Sequence, residues 1–246
     1  MKPNSSSSLV FTPAYGEAEQ LFVLLHGEFA SPEQLLPLAR AIRAAFPRAL
    51  IVLPYGLIRE RPLVYQWFNQ ANLNDGNYGQ RVAYALPALI ALIQQIRARN
   101  ELSGQQTALA GFSQGATMAL EACTAQPGLA GRVLAFSGRY ARIPDASPQA
   151  TTLHLLHGAD DRIVPVSHAR NAHARLNELR GDATLDIASR VGHQLHSALI
   201  SQAIHRLQTT VPLRSWEAAL SHLQSTNETF GVPGVDMHTP GNKTLH

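Results

Sequence analysis

The chain has 246 residues, 45% of them hydrophobic, with 20 basic and 17 acidic side chains, enough to bury a sizeable core in one large or two small domains. That composition excludes a mainly disordered chain, and 17 Gly with 15 Pro fit no fibrous or low-complexity class. A formal charge of +3 with dispersed arginines supplies little of the phosphate neutralisation that nucleic-acid binding depends on. The single Cys123 allows neither an internal disulfide nor a cysteine zinc cluster, which favours a reducing compartment.

Residues 1–20 read as an N-terminal extension with an edge strand. Four serines follow Met1-Lys2-Pro3-Asn4, without the apolar h-region of a signal peptide, and no apolar run approaches the ~20 residues that span a bilayer. A cytoplasmic protein without membrane insertion is expected. Continuous apolar runs, the mark of strands covered on both faces, fall at residues 21–25, 49–53, 107–110, 133–136, 153–156 and, more weakly, 184–187. Amphipathic helices are expected between them. Ser31 and Gln34 flank Pro32 as a capping box, and Leu35, Leu38, Ile42 and Phe46 line one face. A helix from about Gln80 carries Val82, Leu86, Ile90 and Ile93, with a kink expected at Pro87. Two further helices show Ala169, Ala172, Leu176 and Leu179, then Leu195, Leu199, Ala203 and Leu207. Repeated β-α order predicts one doubly wound, mostly parallel α/β domain over residues 21–224. Residues 54–79 read as a long loop, a last short helix includes Leu213, Trp216, Leu220 and Leu223, and residues 225–246 read as a disordered tail.

Gly111-Phe112-Ser113-Gln114-Gly115 has the form Gly-x-Ser-x-Gly, a sharp strand-to-helix turn that presents the serine hydroxyl at the end of a strand. Chance alone produces such a match in about one chain in ten of this length. Context adds the weight: a strand is expected before it, and Ala116, Met118, Ala119, Leu120 and Ala122 form helix readily after it. A hydroxyl nucleophile needs a base, and the base needs an orienting acid. Residues 157–165 follow a strand and place an acid at the same sheet edge, and Val191-Gly192-His193 follows the next strand. The order Ser113, Asp161, His193 is that of α/β hydrolases.

These segments, together with Leu25-His26-Gly27 and Gln66-Trp67-Phe68, resemble the phospholipase/carboxylesterase family of α/β hydrolases, which includes acyl-protein thioesterases and small bacterial carboxylesterases. The resemblance runs from about residue 21 to 207. It implies an α/β-hydrolase fold without a large lid domain. Ser113 would be the nucleophile, His193 the base and Asp161 the acid, leaving Asp160 a solvated turn residue. The backbone N–H groups of Glu28 and Gln114 would form the oxyanion hole. Relatives carry an apolar residue and then Gly-Asp where this chain has Glu28-Phe29-Ala30. A carboxylate turned inward there would repel the oxyanion and anionic substrates, so Glu28 is expected to point outward or to pair with Arg139.

The implied function is a serine carboxylesterase acting on small to medium carboxylic esters through an acyl-enzyme, with no cofactor and no metal. An acyl-protein thioesterase or lysophospholipase, and a noncatalytic binding protein of the same fold, stay open, as does self-association. Trp67 and Phe68 are expected at the substrate cleft, with Phe29, Arg139 and Tyr140 nearby. His196 is a lesser rival to His193, His26 is expected to brace the oxyanion turn, and Cys123 to be an inert core thiol. His154 and His157, three apart on a strand, fall on opposite faces and share no ion.

Overall fold

The computed structural model describes residues 8–210; the helix expected around Trp216 and the tail beyond it lie outside these residues. A seven-stranded sheet carries the fold. Its strands are β1 (Ser8–Phe11), β2 (Gln20–Leu25), β3 (Ala49–Pro54), β6 (Thr107–Phe112), β7 (Arg132–Phe136), β8 (Thr152–Gly158) and β9 (Ala183–Ala188), in the order β1-β3-β2-β6-β7-β8-β9. β1 pairs antiparallel with β3, and every other pairing is parallel. All six apolar runs are strands.

Side chains alternate between two cores. Leu21, Val23 and Leu25 pack on one face with α2 (Asp75–Arg99) and α3 (Gln114–Ala125), and α4 (Ser167–Glu178) covers the same face. Phe22 and Leu24 pack on the other with α1 (Leu36–Ala45) and α5 (Ser197–Thr209). After β2 the chain turns toward the β1 edge, then returns from β3 to β6 on the other side of β2. The connections leaving β2 and β6 therefore diverge at their C-terminal ends, the switch point at which open α/β sheets form a crevice.

Three local expectations need correction. Residues 54–79 are not one loop: β4 (Ile58–Arg61) and β5 (Val64–Gln66) form an antiparallel hairpin, and α2 begins at Asp75. An Asn74–Asn77 capping box starts that helix, which continues through Pro87 as one element. Ser31 makes no side-chain cap; Gln34 Oε1 instead accepts from the Gly27 N–H at 2.7 Å. The apparent capping signature thus serves a tertiary contact.

Candidate active site

Ser113 sits between β6 and α3 with φ 53° and ψ −116°, a conformation that costs an L residue about 1–3 kcal/mol. Its flanking glycines make the turn feasible. A Cβ on Gly111 would lie 2.3 Å from the Gly115 carbonyl, and one on Gly115 would lie 2.1 Å from the Leu25 oxygen. The turn is thereby pressed against the end of β2, and Ser113 is left only 8% exposed.

The Ser113 hydroxyl donates to His193 Nε2 at 3.0 Å, and His193 Nδ1–H donates to Asp161 Oδ2 at 2.8 Å. The other carboxylate oxygen, Oδ1, accepts from the backbone N–H groups of Ile163 and Val164, both at 2.9 Å. Asp161 is buried, whereas its neighbour Asp160 is exposed. Burial pushes the Asp161 carboxyl up, but the His193 hydrogen bond, the Val164 N–H, the His193 interaction and the Ile163 N–H together bring it below its ordinary value. Loop geometry supports this placement. His157 Nε2–H donates to the Val164 oxygen at 2.7 Å and lies 3.3 Å from Asp161 Oδ2; burial lowers its pKa, which favours the neutral imidazole. The acid loop also joins the histidine loop through the Asp160 N–H to Val191 oxygen bond at 2.9 Å.

Among the described residues, the Glu28 and Gln114 N–H groups have no backbone acceptor. The latter opens α3, where orphan amides are expected. Side chains hold both segments. Gln114 Oε1 accepts from the Trp67 N–H at 2.6 Å, and its Nε2 donates to the Phe68 oxygen at 3.1 Å. The Trp67 indole N–H donates to the His26 oxygen at 2.8 Å. His26 is wholly buried, its Nδ1–H donating to the Gly27 oxygen at 2.6 Å and its Nε2 accepting from the Gly56 N–H at 2.9 Å. It therefore fixes the turn after β2.

A cleft of about 240 Å³ opens on Ser113 and Gln114. Leu73, Tyr78, Ile163 and Val164 give it apolar walls, while Glu28, Arg139 and His168 bring charge or titratable groups. Trp67 and Phe68 do not line it. Both are buried, committed to the clamp just described, and border a separate apolar hollow beside Leu57 and Tyr84. Phe29, 54% exposed at φ 52°, is also outside the lining. Glu28 neither points away nor pairs with Arg139: it is half-buried in the cleft, while Arg139 reaches Asp75 Oδ1 at 3.4 Å and covers the Tyr78 ring at 4.1 Å. Thr117, Leu73, Tyr78, Ile163, Val164 and His168 were not anticipated as lining. Thr117 follows Ser113 by one helical turn and Ile163-Val164 follow Asp161, so proximity in sequence could have signalled these three.

Of the remaining candidates, His196 caps α5 by accepting from the Ala198 N–H at 3.1 Å, which assigns it a local role. His154 meets Thr184 Oγ1 at 2.9 Å and Arg132 Nη1 at 3.4 Å, away from the His157 partners. Cys123 is buried, its thiol pushed up to about 12 chiefly by burial. Among the described residues no three His, Cys, Asp or Glu side chains are grouped to hold a metal ion, and no helix is long and apolar enough to cross a membrane.

A doubly wound sheet with Ser113, Asp161 and His193 carried in that order at its C-terminal edge has the α/β-hydrolase fold, without a large lid among the described residues. The chain belongs to the phospholipase/carboxylesterase family, whose model matches residues 8–211. It is 37% identical over 220 residues to the esterase YpfH of Escherichia coli (strain K12), covering 89% of this chain and 91% of that protein. Among solved structures, esterase PE8 superposes with a TM-score of 0.75 at 28% identity, over 83% of this chain and 99% of that one. The Bacillus cereus carboxylesterase shares the fold at a TM-score of 0.70 and 16% identity, over 82% of this chain and 93% of that one.

Proposed function

We propose that the protein is a serine carboxylesterase that hydrolyses small to medium carboxylic esters through an acyl-enzyme on Ser113. The observation that carries this reading is the continuous hydrogen-bond relay of 3.0 and 2.8 Å through His193. Family membership and the likeness to YpfH support the reaction class. In the first half-reaction Ser113 Oγ attacks the ester carbonyl while His193 Nε2 takes its proton. The C–O bond to the leaving alcohol then breaks, and His193 returns the proton to that oxygen. Water repeats the sequence on the acyl-enzyme and releases the carboxylic acid. Asp161 holds Nδ1 protonated and balances the imidazolium that forms. The Glu28 and Gln114 amides would meet the negative oxygen of each tetrahedral intermediate, a contribution of about 10²- to 10³-fold per donor.

The modest cleft favours soluble esters over long acyl chains. A fluorophosphonate probe tests the reading directly. Labelling of the native protein that disappears in Ser113→Ala, together with hydrolysis of a short aryl ester, is the expected result. An unlabelled Ser113 in a folded protein would instead favour a noncatalytic binding role.

A further inference from the structure

We propose that Glu28 is a specificity-determining residue, whose carboxylate selects esters bearing an ammonium group near the scissile bond; this rests on the esterase reading above. Three observations point there. First, Glu28 lines the same cleft as Ser113 and is half-buried, yet among the described residues it has neither an ion-pair partner nor a hydrogen-bonded side-chain neighbour. A carboxylate removed from water without a partner is costly. Burial accordingly raises its pKa, with the His193 imidazole partly offsetting the effect.

Second, the other charges around it are already matched. Arg139, the cation of the cleft, is engaged by Asp75 and by the face of Tyr78. His168 is held below its ordinary value by burial and by Arg139, with Asp75 opposing. Asp161 lies behind His193 and is bonded to it. When Glu28 is ionised, its charge is therefore the unmatched one at the cleft wall. Third, Glu28 belongs to the segment proposed to supply an oxyanion amide, and it lines the cleft together with Ser113 and Gln114. A cationic substituent seated there would relieve the burial cost of Glu28, whereas an anionic one would add repulsion.

Isosteric ester pairs test this. Choline butyrate and 3,3-dimethylbutyl butyrate place the charge on the alcohol side; the 4-nitrophenyl esters of trimethylammonioacetic and 3,3-dimethylbutanoic acids place it on the acyl side. For each pair the charged-to-neutral ratio of kcat/KM is measured in the native enzyme and in Glu28→Gln, so intrinsic ester reactivity and any general change in turnover cancel. In at least one pair the ratio should fall about 10- to 100-fold on substitution, the scale of a Coulombic contact at a partly desolvated site, since a quaternary ammonium donates no hydrogen bond. In the native enzyme, tetramethylammonium should competitively inhibit hydrolysis of the neutral ester, less so as salt rises or as pH falls and Glu28 protonates.

Ratios that change less than about twofold in both pairs, while esters are hydrolysed, overturn the inference and leave the esterase reading standing. A preference that survives in Glu28→Gln and vanishes in Asp75→Asn also overturns it. Failure of Ser113 to react with fluorophosphonate or to turn over any ester removes the esterase reading itself.

Discussion

On one side of the cleft both oxygens of Asp161 are occupied, by two backbone amides and by His193, and His157 ties the same loop to the Val164 oxygen. On the other side Arg139 reaches a highly exposed Asp75 at 3.4 Å, and Glu28 has no ion-pair partner among the described residues. The contrast separates two physical tasks. Proton transfer depends on distances of about 3 Å set before the substrate arrives. Charges at the mouth act over longer range and can reorganise around a ligand at little cost.

Removing the groups proposed to react should break the contrast most severely. Ser113→Ala or His193→Ala is expected to lower kcat by about 10⁶-fold, and the double variant by little more, because the groups act as a unit; single-turnover assays with an activated ester would read this. Asp161→Asn should cost about 10⁴-fold while leaving Ser113 in place, since an amide cannot stabilise the imidazolium or enforce its tautomer.

Stability should respond to pH through a buried group remote from the relay. Burial holds His154 at about 4 against an ordinary 6.5, so its contribution is fully present above pH 6.5 and is lost as pH falls toward 4. The size is about 3 kcal/mol. Denaturant melts across that window should show this slope, reduced in His154→Asn. The smallest effect belongs to the mouth: Asp75→Asn should change stability by less than about 1 kcal/mol and kcat for a neutral ester by less than about threefold. A large loss of activity there would erase the distinction between the two sides.

The strands and the three residues of the relay were legible because each has a local signature: unbroken apolarity for buried strands, and a serine turn, acid and histidine after the ends of β6, β8 and β9. Residues 54–79 hid their structure. Arg59, Glu60 and Arg61 are exposed, so β4 has no alternating apolar face, and α2 starts from two asparagines instead of the usual Ser/Thr-to-Glu/Gln pair. Trp67 and Phe68 were expected at the substrate because aromatic side chains suit clefts equally well as cores. Only tertiary contacts reveal that Gln114 grips their backbone. The glycines around the histidine loop are likewise told apart only in three dimensions. A Cβ on Gly192 would meet the Asp160 oxygen at an ordinary 3.8 Å, so space for His193 does not require that glycine; the close approach is at Gly158, where a Cβ would lie 2.3 Å from the Val191 oxygen.

The backbone angles of Ser113 suit glycine better than serine. Substitutions chosen only to relax the folded state would therefore be drawn to this position and would remove its hydroxyl. The neighbouring Gly111 and Gly115 exclude the reverse adjustment, because bulk at either site would drive the turn away from β2. Selection for thermal endurance and selection for chemistry consequently pull in opposite directions at one residue, while its two flanking positions leave neither of them room to compromise.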